Sequence, residues 1–187
     1  MKKVLAVFAA SLFLAGSAFA QTGWWSDFIR VSVDGGADAY YWIGDDPSWG
    51  TEFAGSNIGT VNVGGSIQLG ADMRYWGEGG DREGGAFYYS VNGDPEVETI
   101  WTQTALGGND FQGLLDPTDG PNVAAGAPVG THELAVWAKS WGSTEGDSWL
   151  NNDGDNFVGS FTVVPEPSSL LLGSMGLLGL LAARRRR

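Results

Sequence analysis

Three tryptophans, Trp76, Trp137 and Trp141, fall where the side chains of predicted strands point away from the core. Trp76 shares its strand face with Arg74, and the other two flank Lys139. An exposed indole can stack on the apolar face of a sugar ring while nearby carboxylates accept the sugar hydroxyls. These rings are therefore candidates for glycan binding, with the alternative that other segments of the chain, or a partner, cover them.

A second candidate is the acidic stretch NNDGDN, which begins at Asn151. Asn151, Asp153 and Asp155 place oxygen ligands at alternate positions, which suits a hard cation such as calcium. The stretch departs from an EF-hand, because Asn156 and Thr162 stand where that loop needs glycine and glutamate. The plainer interpretation is a tight turn, since Asn, Asp and Gly are the residues that turns favour. Calcium is the single cofactor that the sequence suggests.

Hydrolytic chemistry finds less support. His132 is the one histidine, so any Ser-His-Asp triad must include it. It shares a predicted apolar face with Leu134 and Val136, which favours a packed ring. A pair of carboxylates could hydrolyse glycosides, but among 22 acidic residues some pair always has a suitable separation. Cysteine is absent, which excludes thiol catalysis. We therefore predict that the protein is not an enzyme, with a surface glycoside hydrolase as a distant alternative.

The net charge excludes one class of partner. Of the 22 acidic residues, all but Glu166 lie within residues 21–163, a range with four basic residues. Those four are Arg30, Arg74, Arg82 and Lys139. So acidic a body repels nucleic acid and anionic lipid, whose binding requires Lys and Arg near phosphates. It can attract cations, although a solubilising surface is the plainer explanation of the acidity.

Residues 21–163 are predicted to be one all-β domain, because Gly, Asn, Asp and Pro clusters separate short segments rich in β-branched and aromatic residues. In residues 66–76 and 131–141, apolar and polar residues alternate, as in a strand with one buried face. The pattern predicts an antiparallel sandwich of two sheets. The predicted strands are Phe28–Val33, Ala39–Ile43, Ile58–Val63, Ser66–Trp76, Gly85–Val91, Val97–Thr104, Thr131–Trp141 and Asn156–Val163.

The last part of this domain, GTHELAVWAKSWGS followed by NNDGDNFVGSFTV, resembles the final strands of bacterial immunoglobulin-like domains. His132 stands where such domains usually have a tyrosine. The resemblance implies an immunoglobulin-like β-sandwich, a fold that hosts many functions and does not define one.

The N-terminus has the features of a secretory signal peptide over residues 1–20. Two lysines precede an apolar run at residues 4–15, and Ala18 and Ala20 give the small residues that a signal peptidase requires. Cleavage is expected before Gln21. The signal predicts export, with signal peptidase as a processing partner.

The C-terminal segment, residues 164–187, combines three features. Pro165, Glu166 and Pro167 precede an uncharged run at residues 168–183. As a helix this run would span about 24 Å, short of the ~30 Å hydrocarbon core unless flanking valines or local thinning help. It ends in four arginines, Arg184, Arg185, Arg186 and Arg187, which the positive-inside rule keeps cytoplasmic.

Pro-Glu-Pro, an apolar helix and a terminal arginine cluster, in that order, resemble the PEP-CTERM sorting signal of Gram-negative bacteria. The resemblance implies processing by an exosortase near the motif, a transient inner-membrane intermediate and a final location at the cell surface or in an exopolysaccharide matrix. The alternative is a plain C-terminal anchor. The sequence thus predicts a sorted surface protein with a structural or adhesive domain, and a carbohydrate-binding module as the alternative.

Overall fold

The computed structural model describes residues 22–44 and 50–166. The signal peptide with Ala18, Ala20 and Gln21, and the tail from Pro167 through the predicted helix to the four arginines, lie outside these residues. Twelve strands are described: β1 (Thr22–Val33), β2 (Ala39–Trp42), β3 (Thr51–Glu52), β4 (Asn57–Asn62), β5 (Ile67–Gly77), β6 (Gly84–Val91), β7 (Val97–Ile100), β8 (Thr102–Gly107), β9 (Asp110–Leu115), β10 (Gly130–Gly142), β11 (Gly146–Leu150) and β12 (Phe157–Val164).

The strands form two sheets, which confirms the prediction of an all-β body. Sheet A has the order β3-β2-β1-β5-β9-β8, and sheet B has the order β4-β12-β10-β6-β7, with β11 also paired to β10. The prediction of a purely antiparallel fold is wrong, because β3 pairs with β2, and β4 with β12, in parallel. The immunoglobulin-like topology stays a prediction.

One hydrophobic core joins the two sheets. Side chains alternate along β5, where Leu69, Met73 and Tyr75 are fully buried. They share a cluster with residues of sheet B such as Phe87 and Phe161. The period-two pattern of apolar residues therefore selects the inward face of each sheet, as the alternation predicted. The outward faces carry the polar and aromatic residues considered below.

The predicted strand Val97–Thr104 is in fact two strands in different sheets. β7 pairs with β6 in sheet B, whereas β8 pairs with β9 in sheet A. The chain crosses between the sheets at Trp101, whose side chain is 4% exposed. The run of β-forming residues is uninterrupted and therefore predicts a single strand. The local sequence pattern does not indicate which sheet each part of the run joins.

Trp101 is held between glycines of the two sheets. A methyl group would lie 2.2 Å from the indole at Gly85 in β6, and 2.3 Å from it at Gly113 in β9. The indole Nε1 donates a hydrogen bond of 3.1 Å to the hydroxyl of Tyr75. That hydroxyl donates in turn to Gln103 Oε1 at 2.7 Å. Burial raises the pKa of Tyr75 to about 12, so this residue is a neutral donor at physiological pH.

Candidate functional site

The outer face of sheet B carries a group of rings that we call the aromatic patch: Tyr88, Trp137, Trp141 and Trp149. The central strand β10 supplies two of these rings, β6 supplies one and β11 supplies one. The register pairs Trp137 with Tyr88 across β10 and β6. Because residues i and i+2 of a strand share a face, this spacing gathers the rings on one side of the sheet.

Lys139 lies among these rings. Its Nζ is 5.0 Å from the ring centroid of Trp149, 5.7 Å from that of Trp141 and 5.9 Å from that of Tyr88. Each distance falls within the range of a cation–π contact. Nζ also lies 3.4 Å from the carboxylate of Asp147, so the cation is paired at the rim of the patch.

The rim of the patch is acidic. The hydroxyl of Tyr88 donates a hydrogen bond of 2.6 Å to Glu98 on the neighbouring strand β7. Burial raises the pKa of Tyr88 most, followed by the hydrogen bond to Glu98 and then the negative charge of Glu98. With Asp147 on the opposite side, the patch combines ring faces, one cation and carboxylate acceptors. This is the combination that can bind a polyhydroxylated ring.

The rings differ in exposure, and this corrects one expectation. Trp137 was predicted to be exposed, but it is 8% exposed, because its ring stacks on Tyr88 with centroids 5.9 Å apart and planes 10° apart. Trp141 is partly buried and lies over Gly84 of the adjacent strand. The most accessible ring is that of Trp149, at 48%. Sequence reasoning missed it, because β11 is only five residues long and follows β10 after a turn of three residues.

Trp76 does not join the patch. It lies at the end of β5 on the outer face of sheet A, where it is partly buried and its indole covers Gly23 in β1. Its neighbour Arg74 lies over the ring of Trp25 at 5.8 Å, and Trp25 is 44% exposed. The three tryptophans predicted as one type of site are therefore divided between two opposite faces.

The surroundings of His132 match a packed ring. It is 5% exposed and stacks on Phe161 with centroids 5.0 Å apart. Its Nε2 lies 2.8 Å from the carbonyl of Pro128, and its Nδ1 lies 2.9 Å from the amide nitrogen of Asn92. A carbonyl can only accept, so Nε2 carries the proton and Nδ1 accepts from the amide. The two ring nitrogens therefore hold the loop before β10 and the turn after β6.

The residues of the predicted calcium loop form a tight turn. Asn152 and Asp153 have positive φ values of 47° and 56°, and the backbone nitrogen of Gly154 donates to the carbonyl of Asn151 at 2.9 Å. Asn and Asp tolerate this conformation, which accounts for the composition. Within residues 22–44 and 50–166, no cluster of three or more His, Cys, Asp or Glu side chains suits a metal. Calcium binding through Asn151, Asp153 and Asp155 stays a prediction.

A buried ion pair closes the end of the molecule next to the patch. Arg82 and Glu145 lie 2.9 Å apart, and their side chains are 0% and 1% exposed. Arg82 also donates to the carbonyl of Gly146 at 2.9 Å. A methyl group at Gly77 would lie 2.3 Å from the Glu145 carboxylate, so the pair fits only against glycine. The pair fixes the turn from which β11 carries Trp149 onto the patch.

Residues 163–187 match the family model of the PEP-CTERM protein-sorting motif. This confirms the recognition made from Pro165, Glu166, Pro167 and the arginine cluster. The motif implies an exported protein that an exosortase processes through its C-terminal segment, with membrane-associated sorting before the surface. No curated protein and no solved structure matches the chain. Among the described residues, none belongs to a helix of the length and apolarity needed to cross a membrane.

Proposed function

We propose that the protein is a cell-surface or extracellular-matrix component, anchored and then released through its sorting signal, with a non-catalytic structural or adhesive β domain of immunoglobulin-like architecture. The match to the sorting motif at residues 163–187 carries the proposal. β12 ends at Val164, directly before Pro165. Cleavage at the motif would therefore leave the last strand complete, including the bond from Val63 N to the carbonyl of Val164 at 3.0 Å.

The use of polar side chains inside the domain supports a structural role. Both nitrogens of His132 hold backbone or amide groups, and the Arg82–Glu145 pair is enclosed at one end. The ring nitrogens of His132 are both satisfied, whereas Arg82 Nε and Glu145 Oε1 are buried without a hydrogen-bond partner among the described residues. Buried polar groups that are satisfied, as in His132, specify one packing. They are committed to the fold and leave little freedom for proton transfer.

The proposed surface location is tested by expressing the full chain in a Gram-negative host with and without an exosortase. We expect a shortened body at the surface with the enzyme, and an intact chain in the inner membrane without it. Replacement of both Pro165 and Pro167 by alanine should keep the chain intact even with the enzyme. An intact membrane-bound chain under all conditions would indicate a plain anchor and would contradict the proposal.

The non-catalytic role is tested on the surface form of the protein. Cells that lack the chain should lose matrix cohesion, measured as resistance of aggregates to shear. Incubation of purified protein with matrix polysaccharide should generate no new reducing ends. Steady release of reducing ends, abolished by changing one defined pair of carboxylates, would instead establish the glycoside hydrolase.

The aromatic patch favours one further candidate function, binding of matrix polysaccharide. Trp149 is half exposed beside the rings of Tyr88 and Trp141, with carboxylates at the rim. Trp149→Ala should weaken retention on polysaccharide about tenfold, the scale of a truncated aromatic contact worth more than ~1 kcal/mol. Trp25→Ala is the matched control, because Trp25 is similarly exposed on the opposite sheet. Equal retention of both variants and of the unchanged protein would exclude the patch as the binding site.

A further inference from the structure

The aromatic patch on sheet B carries an excess of negative charge. Burial and the hydrogen bond to Glu98 raise the pKa of Tyr88 most, and the negative charges of Glu98, Glu96 and Asp147 add to the rise. Three carboxylates therefore act on one ring of the patch. Glu96 and Glu98 are exposed, and the side chain of Asp147 is 49% exposed. A ligand that approaches the patch meets these carboxylates at its rim.

The lysine of the patch does not balance this charge. Nζ of Lys139 lies 3.4 Å from the carboxylate of Asp147 and 5.0 Å from the ring centroid of Trp149, and the side chain is 21% exposed. Because a carboxylate and ring faces already stabilise this ammonium group, it offers little attraction to an anionic ligand. Glu96 and Glu98 remain in excess over it.

The other basic residues of the domain lie away from the patch surface. Arg82 is fully buried against Glu145, and Arg30 and Arg74 belong to strands of sheet A. Residues 21–163 contain 21 acidic and four basic residues, so the field of the whole domain has the same sign as the rim. Both the rim and the whole domain therefore repel a polyanionic glycan and attract a cationic one.

A row of cross-strand partners crosses the outer face of sheet B in the order Trp149, Lys139, Ala86 and Ile100. Trp149 in β11 is 48% exposed at one end of the row, and Ile100 in β7 is 63% exposed at the other. The row therefore presents apolar surface at both of its ends.

Each end of the row also has a carboxylate. Asp147 precedes Trp149 by two residues and Glu98 precedes Ile100 by two, so each pair shares one face of its strand. β10 and β6 separate β11 from β7, which places the two ends three strand spacings, or roughly 14 Å, apart. A surface that repeats an apolar group beside a carboxylate suits a ligand with repeating units.

We propose that the aromatic patch binds a polysaccharide of amino sugars whose amino groups are free and protonated. Sugar faces pack against Trp149 and Ile100, and the ammonium groups pair with Asp147 and Glu98. Charge selects this ligand over a uronic acid polymer, which the same carboxylates repel, and over an N-acetylated polymer, which gains only the apolar contacts. This specificity rests on the polysaccharide binding proposed above for the same patch.

Three short oligomers of equal length test the specificity: glucosamine, N-acetylglucosamine and galacturonic acid. Calorimetry with the processed protein recovered from cells is carried out at a pH at which the amines and the uronates are both charged. The glucosamine oligomer should bind about tenfold more tightly than the acetylated one, the scale of two or more exposed ion pairs. This preference should decrease as salt is added. The galacturonic acid oligomer should bind most weakly.

The outcomes separate the specificity from glycan binding itself. Equal or tighter binding of the acetylated or the galacturonic acid oligomer would overturn the amine specificity and leave polysaccharide binding in place. Binding of none of the three oligomers would contradict both.

Two substitutions locate the charge that selects the ligand. Asp147→Asn and Glu98→Gln each remove one negative charge with little change in shape, and the amide oxygen at position 98 can still accept from Tyr88. Each should lower the ratio of the two affinities, glucosamine to N-acetylglucosamine, about twofold to fivefold.

Asp119→Asn is the matched control. It removes the same charge from an exposed residue in the turn Pro117–Asp119, which follows β9 of sheet A. It should leave the ratio unchanged. An equal decrease in all three variants would show that the overall charge of the domain determines the preference, and would overturn the assignment to the patch.

Trp149→Ala distinguishes sugar binding from attraction of any polycation. It should weaken the binding of the glucosamine and the acetylated oligomers alike, about tenfold, because both lose the same ring contact. An oligolysine of equal charge should bind at least about tenfold more weakly than the glucosamine oligomer, since it has no sugar face to pack on the ring. Oligolysine binding as tight as that of the glucosamine oligomer would mean that the carboxylates hold any polycation, and would overturn the proposal.

Discussion

The junction between the sheets and the aromatic patch both place tryptophan against glycine, but with opposite outcomes. Trp101 lies between Gly85 and Gly113 and is 4% exposed. Trp141 covers Gly84 on one side, and the neighbouring Trp149 remains 48% exposed. A ring enclosed on both faces serves the fold, whereas a ring enclosed on one face leaves the other available. The number of enclosed faces, and not the residue type, distinguishes the two regions.

Removal of the enclosed ring of Trp101 should destabilise the fold most. Trp101→Ala should lower the free energy of unfolding by about 3–5 kcal/mol, the range for a large aromatic truncated in a core. The hydroxyl of Tyr75 also loses its indole donor. Urea unfolding of the processed protein measures the change.

Trp101→Phe is the control, because it keeps an aromatic ring but removes the bond to Tyr75. It should fall between the unchanged protein and the alanine variant. A loss of stability as small as that of an exposed substitution would show that the ring does not join the sheets.

A buried carboxylate gives the next largest effect. Asp27 is 1% exposed in β1, opposite Met73, and accepts a bond of 3.1 Å from the backbone nitrogen of Arg74. Burial raises its pKa well above 3.8, against the effect of that hydrogen bond and with a smaller contribution from Asp72. Folding therefore favours the protonated carboxyl of Asp27 relative to the unfolded chain. The contribution of this carboxyl to folding stability is fully present below pH 3.8 and is lost as the pH rises through the raised pKa.

Asp27→Asn should therefore raise the melting temperature at pH 7 and have little effect below pH 3.8. Asp81→Asn is the control, because the pKa of Asp81 is shifted in the opposite direction and its effect on stability has the opposite pH dependence. The backbone nitrogen of Thr144, followed by the hydroxyl of Ser143, lowers the pKa of Asp81 to about 2. Stability from Asp81 is present above 3.8 and is lost as the pH falls towards 2. Parallel pH profiles for the two variants would contradict the assignment of either carboxylate.

Much of the fold could be predicted from local pattern. Alternation identified the buried faces of β5 and β10, and glycine-rich turns gave most strand limits. The division at Trp101 could not be predicted, because it depends on Gly85 and Gly113 meeting the ring from two sheets. The parallel pairing of β4 with β12 could not be predicted either, since the sequence of a strand does not specify the direction of its neighbour.

The candidate site was predicted only in part. The spacing of Trp137, Lys139 and Trp141 placed them on one outward face, but exposure depends on neighbours in other strands. Tyr88 covers Trp137, and β11 brings Trp149 to Lys139. The sorting signal could be predicted almost completely, because its three parts are consecutive in sequence and need no tertiary contact.

Removal of the exposed ring of Trp149 should have the smallest effect on stability. Trp149→Ala should change the free energy of unfolding by no more than about 0.5 kcal/mol, since the residue is exposed and its loss leaves Lys139 with Asp147 and two other rings. Urea unfolding alongside Trp101→Ala measures both on one scale. A loss above ~2 kcal/mol would mean that Trp149 is needed to hold β11, and its effect on polysaccharide retention would then report folding. A negligible loss with impaired retention would mean that the exposed face of the ring is free to bind.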